Sequence, residues 1–152
     1  MKMKMFKNLA EFKAQDFKIF DKQNEFGYVY VVEYGNYIKV GCTQNPHRRI
    51  QELFEHAQYR RLYVGKIAIT AQTKEFRELE HKIHQHFREQ RVRNLELFTV
   101  KFDKAVTEIN EYFKLLKDAK NHINYDEMYE LALQISENEA YERFRKWEKV
   151  LI

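Results

Sequence analysis

The stretch from Gly27 to Ile50 decides the fold: Gly-Tyr-Val-Tyr-Val-Val-Glu-Tyr-Gly-Asn-Tyr-Ile-Lys-Val-Gly-Cys-Thr-Gln-Asn-Pro-His-Arg-Arg-Ile. Tyr28 to Val32 and Tyr37 to Val40 are rich in the aromatic and β-branched residues typical of strands, and the Tyr-Gly-Asn between them favours a turn. Asn45-Pro46 then supplies an N-cap and a proline at the first helical position. The stretch predicts a β-hairpin followed by a helix that ends near residue 57.

The rest of the chain mixes further strands and helices. Residues 1–20 carry spaced phenylalanines among lysines, which predicts a short amphipathic helix. Leu62–Ile69 predicts a strand, Thr73–Glu89 a helix, Glu96–Val100 an extended segment and Asp103–Ala119 another helix. This order predicts a small α/β or α+β sandwich in which helices cover a short central sheet.

The C-terminal part of the chain is predicted to be wholly helical beyond Asn121, with Ser136 and Glu139 forming a capping box. We therefore expect three segments: an amphipathic N-terminal piece (1–26), a central domain (27–119) and a helical extension (120–152). The extension is expected to pack on the domain or on a partner.

Composition limits the class of protein. The net charge is +4, and residues 36–70 hold six basic against two acidic side chains. Such a block suits a polyanion such as nucleic acid, although much solvated protein surface has the same character. Cys42 is the sole cysteine, which excludes an intramolecular disulfide and a cysteine-rich zinc site. No apolar run approaches the roughly 18 residues of a membrane helix, so a soluble, intracellular, cytoplasmic protein is expected.

Two adjacent arginines open the first long helix and are predicted to differ. At about 100° per residue, Ile50 and Leu53 define an apolar side, and Arg49 lies within about 40° of Leu53. Arg48 points nearly opposite, towards solvent or a long ligand. Arg49 either reaches the strand residues or is a snorkelling arginine whose stem covers apolar surface.

The helix predicted from Thr73 places a carboxylate among apolar residues. Glu80 falls inside the arc of Phe76, Leu79 and Ile83. Because burying an unpaired ion is costly, Glu80 must meet a cation, a metal or hydrogen-bond donors, or become protonated. His84 lies one turn further on, where it either shares a metal with Glu80 or has a hydrogen-bonded structural role.

The hairpin adds phenols and an amine to this group. Tyr28 and Tyr30 share one face of their strand by the two-residue period, and Lys39 lies on the neighbouring strand just before Gly41. A tyrosine, a lysine, Arg49 and a carboxylate around one pocket have the makings of a phosphodiester-cleaving site. The acid would hold a divalent cation, the cations would neutralise the phosphorane, and the phenol would take a proton from water.

These residues resemble the GIY-YIG nuclease superfamily, in particular its small phage, viral and fungal proteins with a Lys-Ile-Gly-like second motif. Tyr28-Val29-Tyr30 is similar to the first motif and Lys39-Val40-Gly41 to the second. Arg49 matches a helix arginine, and the segment from Glu80 to Phe87 resembles the helix that carries a metal-binding glutamate. Arg91 to Phe98 resembles a downstream Arg and Glu-Trp-Phe element, with leucine replacing the tryptophan.

The resemblance implies a central three-stranded sheet, antiparallel or mixed, flanked by helices, which is an α+β fold. It also implies cleavage of a phosphodiester by water with one divalent metal ion, Mg²⁺ or Mn²⁺. Tyr30 would be the general base or water orienter, Lys39 would assist it or bind phosphate, Arg49 would stabilise charge and Glu80 would hold the metal. Tyr28 departs from the glycine of many members and Lys39 from their tyrosine, which leaves the group that deprotonates water open.

The sequence therefore predicts a metal-dependent DNA endonuclease. Its candidate catalytic residues are Tyr28, Tyr30, Lys39, Arg49, Glu80 and His84, and its candidate nucleic-acid-binding residues are Arg48, Arg60, Arg61, Arg91 and Arg93. A double-strand break would need a homodimer or successive nicks. The alternative is a non-catalytic nucleic-acid-binding module on the same scaffold, and a protein-interaction role of the helical tail would be an addition to either.

Overall fold

A computed structural model describes residues 1–21 and 25–122, with side chains up to residue 117. Within these ranges the elements follow in the order β1 (Lys4–Phe6), α1 (Leu9–Lys13), β2 (Tyr28–Tyr34), β3 (Tyr37–Thr43), α2 (Pro46–Tyr59), β4 (Val64–Ile69), α3 (Phe76–His86), a 3₁₀ turn (Arg88–Gln90), β5 (Leu97–Phe98) and α4 (Phe102–His122). The predicted helical tail beyond this range lies outside the described residues. The α+β class is confirmed.

The strands form one open sheet in the order β1-β4-β2-β3-β5, and every neighbouring pair is antiparallel. In the described part of the chain the sheet thus has five strands, and the prediction of three was wrong. The two additional strands, β1 and β5, lie at the sheet edges and are three and two residues long. Segments this short are too brief to display the alternation that identifies a strand in sequence.

The predicted hairpin is confirmed, and its register sets which residues share a face. Tyr34 pairs with Tyr37 around the turn, where Gly35 has φ +62°, a conformation that glycine adopts without steric cost. Tyr30 lies opposite Gly41, and Lys39 lies opposite Val32. Because directly opposed residues of an antiparallel pair point to the same side, these four positions lie on one face of the sheet.

Helix α2 covers this face. Asn45 caps it as predicted, with its side-chain oxygen accepting a hydrogen bond from the backbone of Arg48, and a proline occupies the first turn. The buried residues Ile50 and Leu53 join a core cluster whose sheet members include Tyr28, Tyr30, Val32, Ile67 and Ile69. This packing presents the first turn of α2 to the middle of β2.

The N-terminal segment belongs to the same layer. A single amphipathic helix was predicted here, but Lys4–Phe6 instead forms edge strand β1 beside β4, and the helix is restricted to Leu9–Lys13. The side chain of Asn8 caps that helix and so separates it from the strand. The Phe6 and Phe12 rings meet edge to face with centroids 5.2 Å apart, which ties both elements into the core.

Helix α3 packs against β2 and β3. It begins at Phe76 and not at Thr73, because Thr73 exchanges two backbone hydrogen bonds with Gly27 and is held in an extended bridge. Val40 and Cys42 alternate with Lys39 and Gly41 and therefore point to the side opposite α2. α3 lies on that side. The sheet thus separates an α2 layer from an α3 layer.

The chain divides into two compact units, Lys2–Ile109 and a second made of Met1 with Asn110–Ile152. The first contains all five strands named above and every residue of the candidate site. Of the second, the described residues are Met1 and the last part of α4. In the described ranges, none of the helices has the length and apolar character needed to cross a membrane.

Candidate functional site

The centre of the site is a buried phenol beside a glycine. The Tyr30 side chain is 1% exposed, and its hydroxyl accepts a hydrogen bond of 3.2 Å from Nε of Arg49. A Cβ atom on Gly41 would lie 2.5 Å from Cζ and 2.8 Å from Cε2 of Tyr30. Glycine at position 41 therefore provides the space that lets the phenol lie across β3 and meet the guanidinium.

Burial controls the chemistry of this phenol. Loss of solvent around Tyr30 raises its pKa to about 12, and the neighbouring Arg49 charge opposes that increase only in part. Two carboxylates, Glu96 and Glu80, act on the same phenol and raise its pKa further. Tyr30 is therefore protonated at neutral pH and can donate one hydrogen bond while it accepts that of Arg49.

The two arginines at the start of α2 differ as predicted. The Arg49 side chain is 32% exposed and bridges Tyr30 and Glu52, with its Nη1 atom 3.2 Å from the Glu52 carboxylate. The Arg48 side chain is 77% exposed and pairs with the other oxygen of Glu52. Because Arg49 reaches the strand hydroxyl, it does more than cover apolar surface, whereas Arg48 remains accessible to a long ligand.

Lys39 lies on the same face of the sheet and is affected by the charges of other cations. Its ammonium group is 5.7 Å from the centre of the Tyr34 ring. Burial lowers the pKa of Lys39, and the charges of Arg49 and Arg60 lower it further, while Glu96 opposes them. Repulsion among these three cations favours the binding of an anion, which would relieve it.

Glu80 reaches the site from the other layer. Its side chain is 19% exposed, as expected for a carboxylate inside the apolar arc of α3. A hydrogen bond joins it to the Cys42 thiol, and its Oε1 atom is 3.9 Å from Nε2 of His84. Of the partners that the sequence left open for Glu80, the structure therefore supplies a hydrogen-bond donor, the Cys42 thiol.

The two layers meet at the free edge of β3. Among the described residues, strand β5 pairs with Ile38 and Lys39, and none of them forms a strand beside β3 on that side from Gly41 onwards. The Tyr30 ring, on the α2 side of the sheet, lies over Gly41, which has no side chain. Glu80 lies on the α3 side, and its charge raises the pKa of Tyr30. The charge of a carboxylate on one face of the sheet thus acts on a phenol of the other face.

Two members of this site were not chosen from the sequence. Glu96 acts electrostatically on Tyr30, Lys39 and Cys42, and its backbone carbonyl accepts a hydrogen bond from Val40. The pKa of the Cys42 thiol is raised to about 12. Burial is the largest cause, and the hydrogen bond to Glu80 is the second. The signal for Cys42 was present, because it alternates with Gly41 and so faces the helix that carries Glu80.

Two of the candidate catalytic residues have structural hydrogen bonds. The His84 side chain is buried, and its Nε2–H donates to the Val40 carbonyl oxygen at 2.8 Å. The Tyr28 hydroxyl donates to the carbonyl oxygen of Lys18 at 2.9 Å, on the same face as Tyr30 but towards the N-terminal segment. The Tyr28 bond ties β2 to the N-terminal segment and the His84 bond ties α3 to β3, while the catalytic roles of both residues stay predictions.

Of the remaining candidate nucleic-acid-binding arginines, three have exposed side chains and one is hydrogen-bonded to the backbone. Arg60, Arg61 and Arg93 are exposed, and Arg61 and Arg93 have the positive φ angles of 55° and 52°. Arg91 differs, because its guanidinium donates to the carbonyl oxygens of Leu95 at 2.7 Å and Asn94 at 3.4 Å. Arg91 thus holds the loop that precedes β5, and its contact with nucleic acid stays a prediction.

The side chains around Glu80 fit one kind of metal ion better than others. In residues 1–21 and 25–122 no three His, Cys, Asp or Glu side chains are grouped so that they could hold a metal. That donor set does not fit a structural zinc or calcium site, which needs four or more protein ligands. Mg²⁺ keeps several waters and often binds one or two carboxylates together with a substrate phosphate, and Glu80 fits that mode.

Comparison with known proteins identifies the family. The model of the T5orf172 domain matches residues 27–148, which is more than half of the chain. No GIY-YIG family model matches, so the assignment to that superfamily from the hairpin and helix motifs was wrong. Short motifs of Tyr, Lys-x-Gly and Arg on a hairpin and helix do not distinguish one family from another. Neither the curated proteins nor the solved structures gave a significant match.

Proposed function

Because the chain belongs to the T5orf172 domain family, which points to a function related to nucleic acids, we propose that it is a metal-dependent DNA endonuclease. The observation that carries this proposal is the junction at Gly41. There the buried Tyr30 phenol is hydrogen-bonded to the Arg49 guanidinium, and the charge of Glu80 in the other layer acts on the same phenol. Lys39 lies on the same face of the sheet as Tyr30. We place the scissile phosphodiester at this edge of β3.

The cations would bind and polarise the phosphate. Burial lowers the pKa of Lys39 and the charges of Arg49 and Arg60 lower it further, so an anionic ligand is favoured there. Arg49 is already oriented by Tyr30 and Glu52, which reduces the entropy lost when it binds a developing negative charge. Arg48, on the outer side of the same helix, would contact a more distant phosphate.

Tyr30 is best suited to orient the attacking water. With a pKa of about 12 it remains protonated at neutral pH, so it is a weak base. Its oxygen has one lone pair occupied by Arg49, which leaves the second lone pair and the hydroxyl proton for water or a phosphate oxygen. The role of water orienter is therefore favoured over that of general base.

Glu80 would hold the metal ion, with the Cys42 thiol hydrogen-bonded to its carboxylate. A bound Mg²⁺ or Mn²⁺ would supply Lewis acidity and lower the pKa of its water. Glu96, on the same edge, adds a second negative charge that would favour a cation.

The second candidate is a nucleic-acid-binding module without turnover. The high pKa of Tyr30 favours it, since a phenol that does not ionise is a poor catalyst on its own. The cationic row of Lys39, Arg49 and Arg60 would serve it through salt-dependent phosphate contacts.

Cleavage of supercoiled plasmid with Mg²⁺ or Mn²⁺ separates the two. We expect the wild type to nick the plasmid and Glu80→Gln to be slower by at least about 100-fold, the low end for loss of a catalytic group. Glu78→Gln is the matched control, because Glu78 is an exposed carboxylate on the same helix. Equal cleavage by Glu80→Gln and wild type would refute the metal role. Binding without any cleavage would favour the second candidate.

A further inference from the structure

Two aromatic side chains beside the cationic row are unusually exposed. Tyr59 is 92% exposed and Tyr63 is 70% exposed, whereas Tyr28, Tyr30 and Tyr34 are buried. Large aromatic side chains left in water at neighbouring positions commonly mark a binding surface. The two tyrosines flank Arg60 and Arg61, so the segment 59–63 combines aromatic rings with positive charge.

The segment is held in place by its backbone. The amide of Leu62 donates to the carbonyl oxygen of Ala57 at 2.8 Å, and the carbonyl oxygen of Tyr63 accepts from the amide of Gly35 at 2.6 Å. These bonds fix the end of α2 and the start of β4 against the β2–β3 turn. The rings are therefore carried by an anchored backbone, and little entropy would be lost from the main chain when a ligand binds.

The segment begins at the C-terminal end of α2, whereas Arg49 lies in the first turn of that helix. From Tyr30 to Tyr34 the strand advances about 13 Å, and from Arg49 to Arg60 the helix advances about 16 Å. The charges of Arg49, at the start of α2, and of Arg60, at its end, both lower the pKa of Lys39. Positive charge therefore extends along the helix from the Tyr30 end to the segment 59–63. Stacked nucleotides of one DNA strand repeat about every 3.4 Å. A length of about 13 to 16 Å therefore corresponds to about four nucleotides, or fewer if the DNA strand is stretched.

Resting on the proposed function, we propose that Tyr59 and Tyr63 form a stacking platform for unpaired bases, and that the substrate of the site has a single-stranded segment next to the cleaved bond. Base faces are accessible for stacking in a single strand but are covered in a duplex. The arginines between the rings match the charge of a nucleic-acid backbone, which favours this occupant over an apolar protein partner.

The test measures binding in EDTA, so that it does not depend on cleavage. Fluorescence anisotropy compares a single-stranded oligonucleotide with the same sequence as a duplex, for wild type, Tyr59→Ala, Tyr63→Ala, and both Tyr→Phe variants. Each alanine variant should bind the single strand at least about fivefold more weakly, the low end for loss of one stacked base, and the phenylalanine variants should retain wild-type affinity. Duplex affinity should be unchanged. Ile19→Ala, which removes another exposed apolar side chain (64% exposed), is the control.

The proposal is overturned if the alanine variants bind the single strand like wild type, if phenylalanine loses as much as alanine, or if duplex binding falls equally. Thermal melting of each variant verifies that the fold is intact. If stacking is found while the wild type cleaves neither oligonucleotide with Mn²⁺, the platform stands and the endonuclease proposal fails. If the wild type and the alanine variants cleave equally well, the endonuclease proposal stands and the stacking platform fails.

Discussion

Replacing Tyr30 by phenylalanine removes one oxygen from the centre of the site and should have opposite effects on stability at neutral and at alkaline pH. At neutral pH the variant loses the 3.2 Å hydrogen bond from Arg49. The guanidinium can turn to water, since its side chain is 32% exposed, so the net loss should be about 1 kcal/mol.

At alkaline pH the sign changes. The folded-state pKa of Tyr30 is raised to about 12 from 10.0, so the hydroxyl stabilises the fold fully below pH 10 and loses that contribution as the pH rises through 12. At pH 11 wild type should have lost about 1.4 kcal/mol relative to Tyr30→Phe, and about 2.7 kcal/mol once Tyr30 is fully ionised. The two stability curves should therefore cross near pH 11.

Urea denaturation of both proteins between pH 8 and pH 11.5 measures this difference. Tyr28→Phe is the companion, because burial also raises the Tyr28 pKa while its hydroxyl bonds to the Lys18 carbonyl, away from Arg49. Tyr28→Phe should keep nuclease activity, and Tyr30→Phe should lose at least about tenfold. A stability difference for Tyr30→Phe that does not change with pH would refute the burial of an un-ionised phenol at this position.

Three further substitutions test the surroundings of Tyr30. Gly41→Ala should lower the free energy of unfolding by about 1–3 kcal/mol, since its Cβ overlaps the buried phenol; urea denaturation identical to wild type would show that the phenol can move aside. Arg49→Lys keeps the charge but loses the Nε donor, so oligonucleotide affinity should change little while cleavage in single-turnover assays falls at least about tenfold; equal losses in both would indicate a binding role alone. Arg60→Gln should reduce the slope of log affinity against log salt by about 1, and an unchanged slope would place Arg60 outside the phosphate contacts.

The central fold was predictable because its signals are local. The hairpin and the capped helix α2 depend on turn residues, an Asn-Pro pair and regular apolar spacing, and β4 lies within the predicted strand Leu62–Ile69. Edge strand β1 was not predictable, since a three-residue strand carries no periodicity and is selected by pairing with β4. The segment Glu96–Val100 was predicted to be extended, but its pairing with β3 through Leu97–Phe98 was not. The late start of α3 likewise depends on the Gly27–Thr73 bridge, a contact between distant residues.

The positions of the single site residues on their helices and strands were predictable from the sequence, but which face of the sheet each helix covers was not. Helical projection correctly separated Arg49 from Arg48 and placed Glu80 in a semi-buried position. It did not reveal that Glu80 belongs to the layer opposite Tyr30, because the faces of a sheet covered by each helix are set by topology. The contribution of Glu96 also depends on tertiary contact, since it precedes a strand that only pairing with β3 creates.

The most direct test of the account is a crystal of the protein soaked with Mn²⁺ and measured for anomalous scattering. We predict a manganese peak at coordinating distance from the Glu80 carboxylate, at the free edge of β3 and in reach of Tyr30 and Arg49, with no such peak in Glu80→Gln. A peak bound elsewhere in a protein that cleaves DNA, or an unchanged peak in Glu80→Gln, would contradict the assignment of this junction as the catalytic centre.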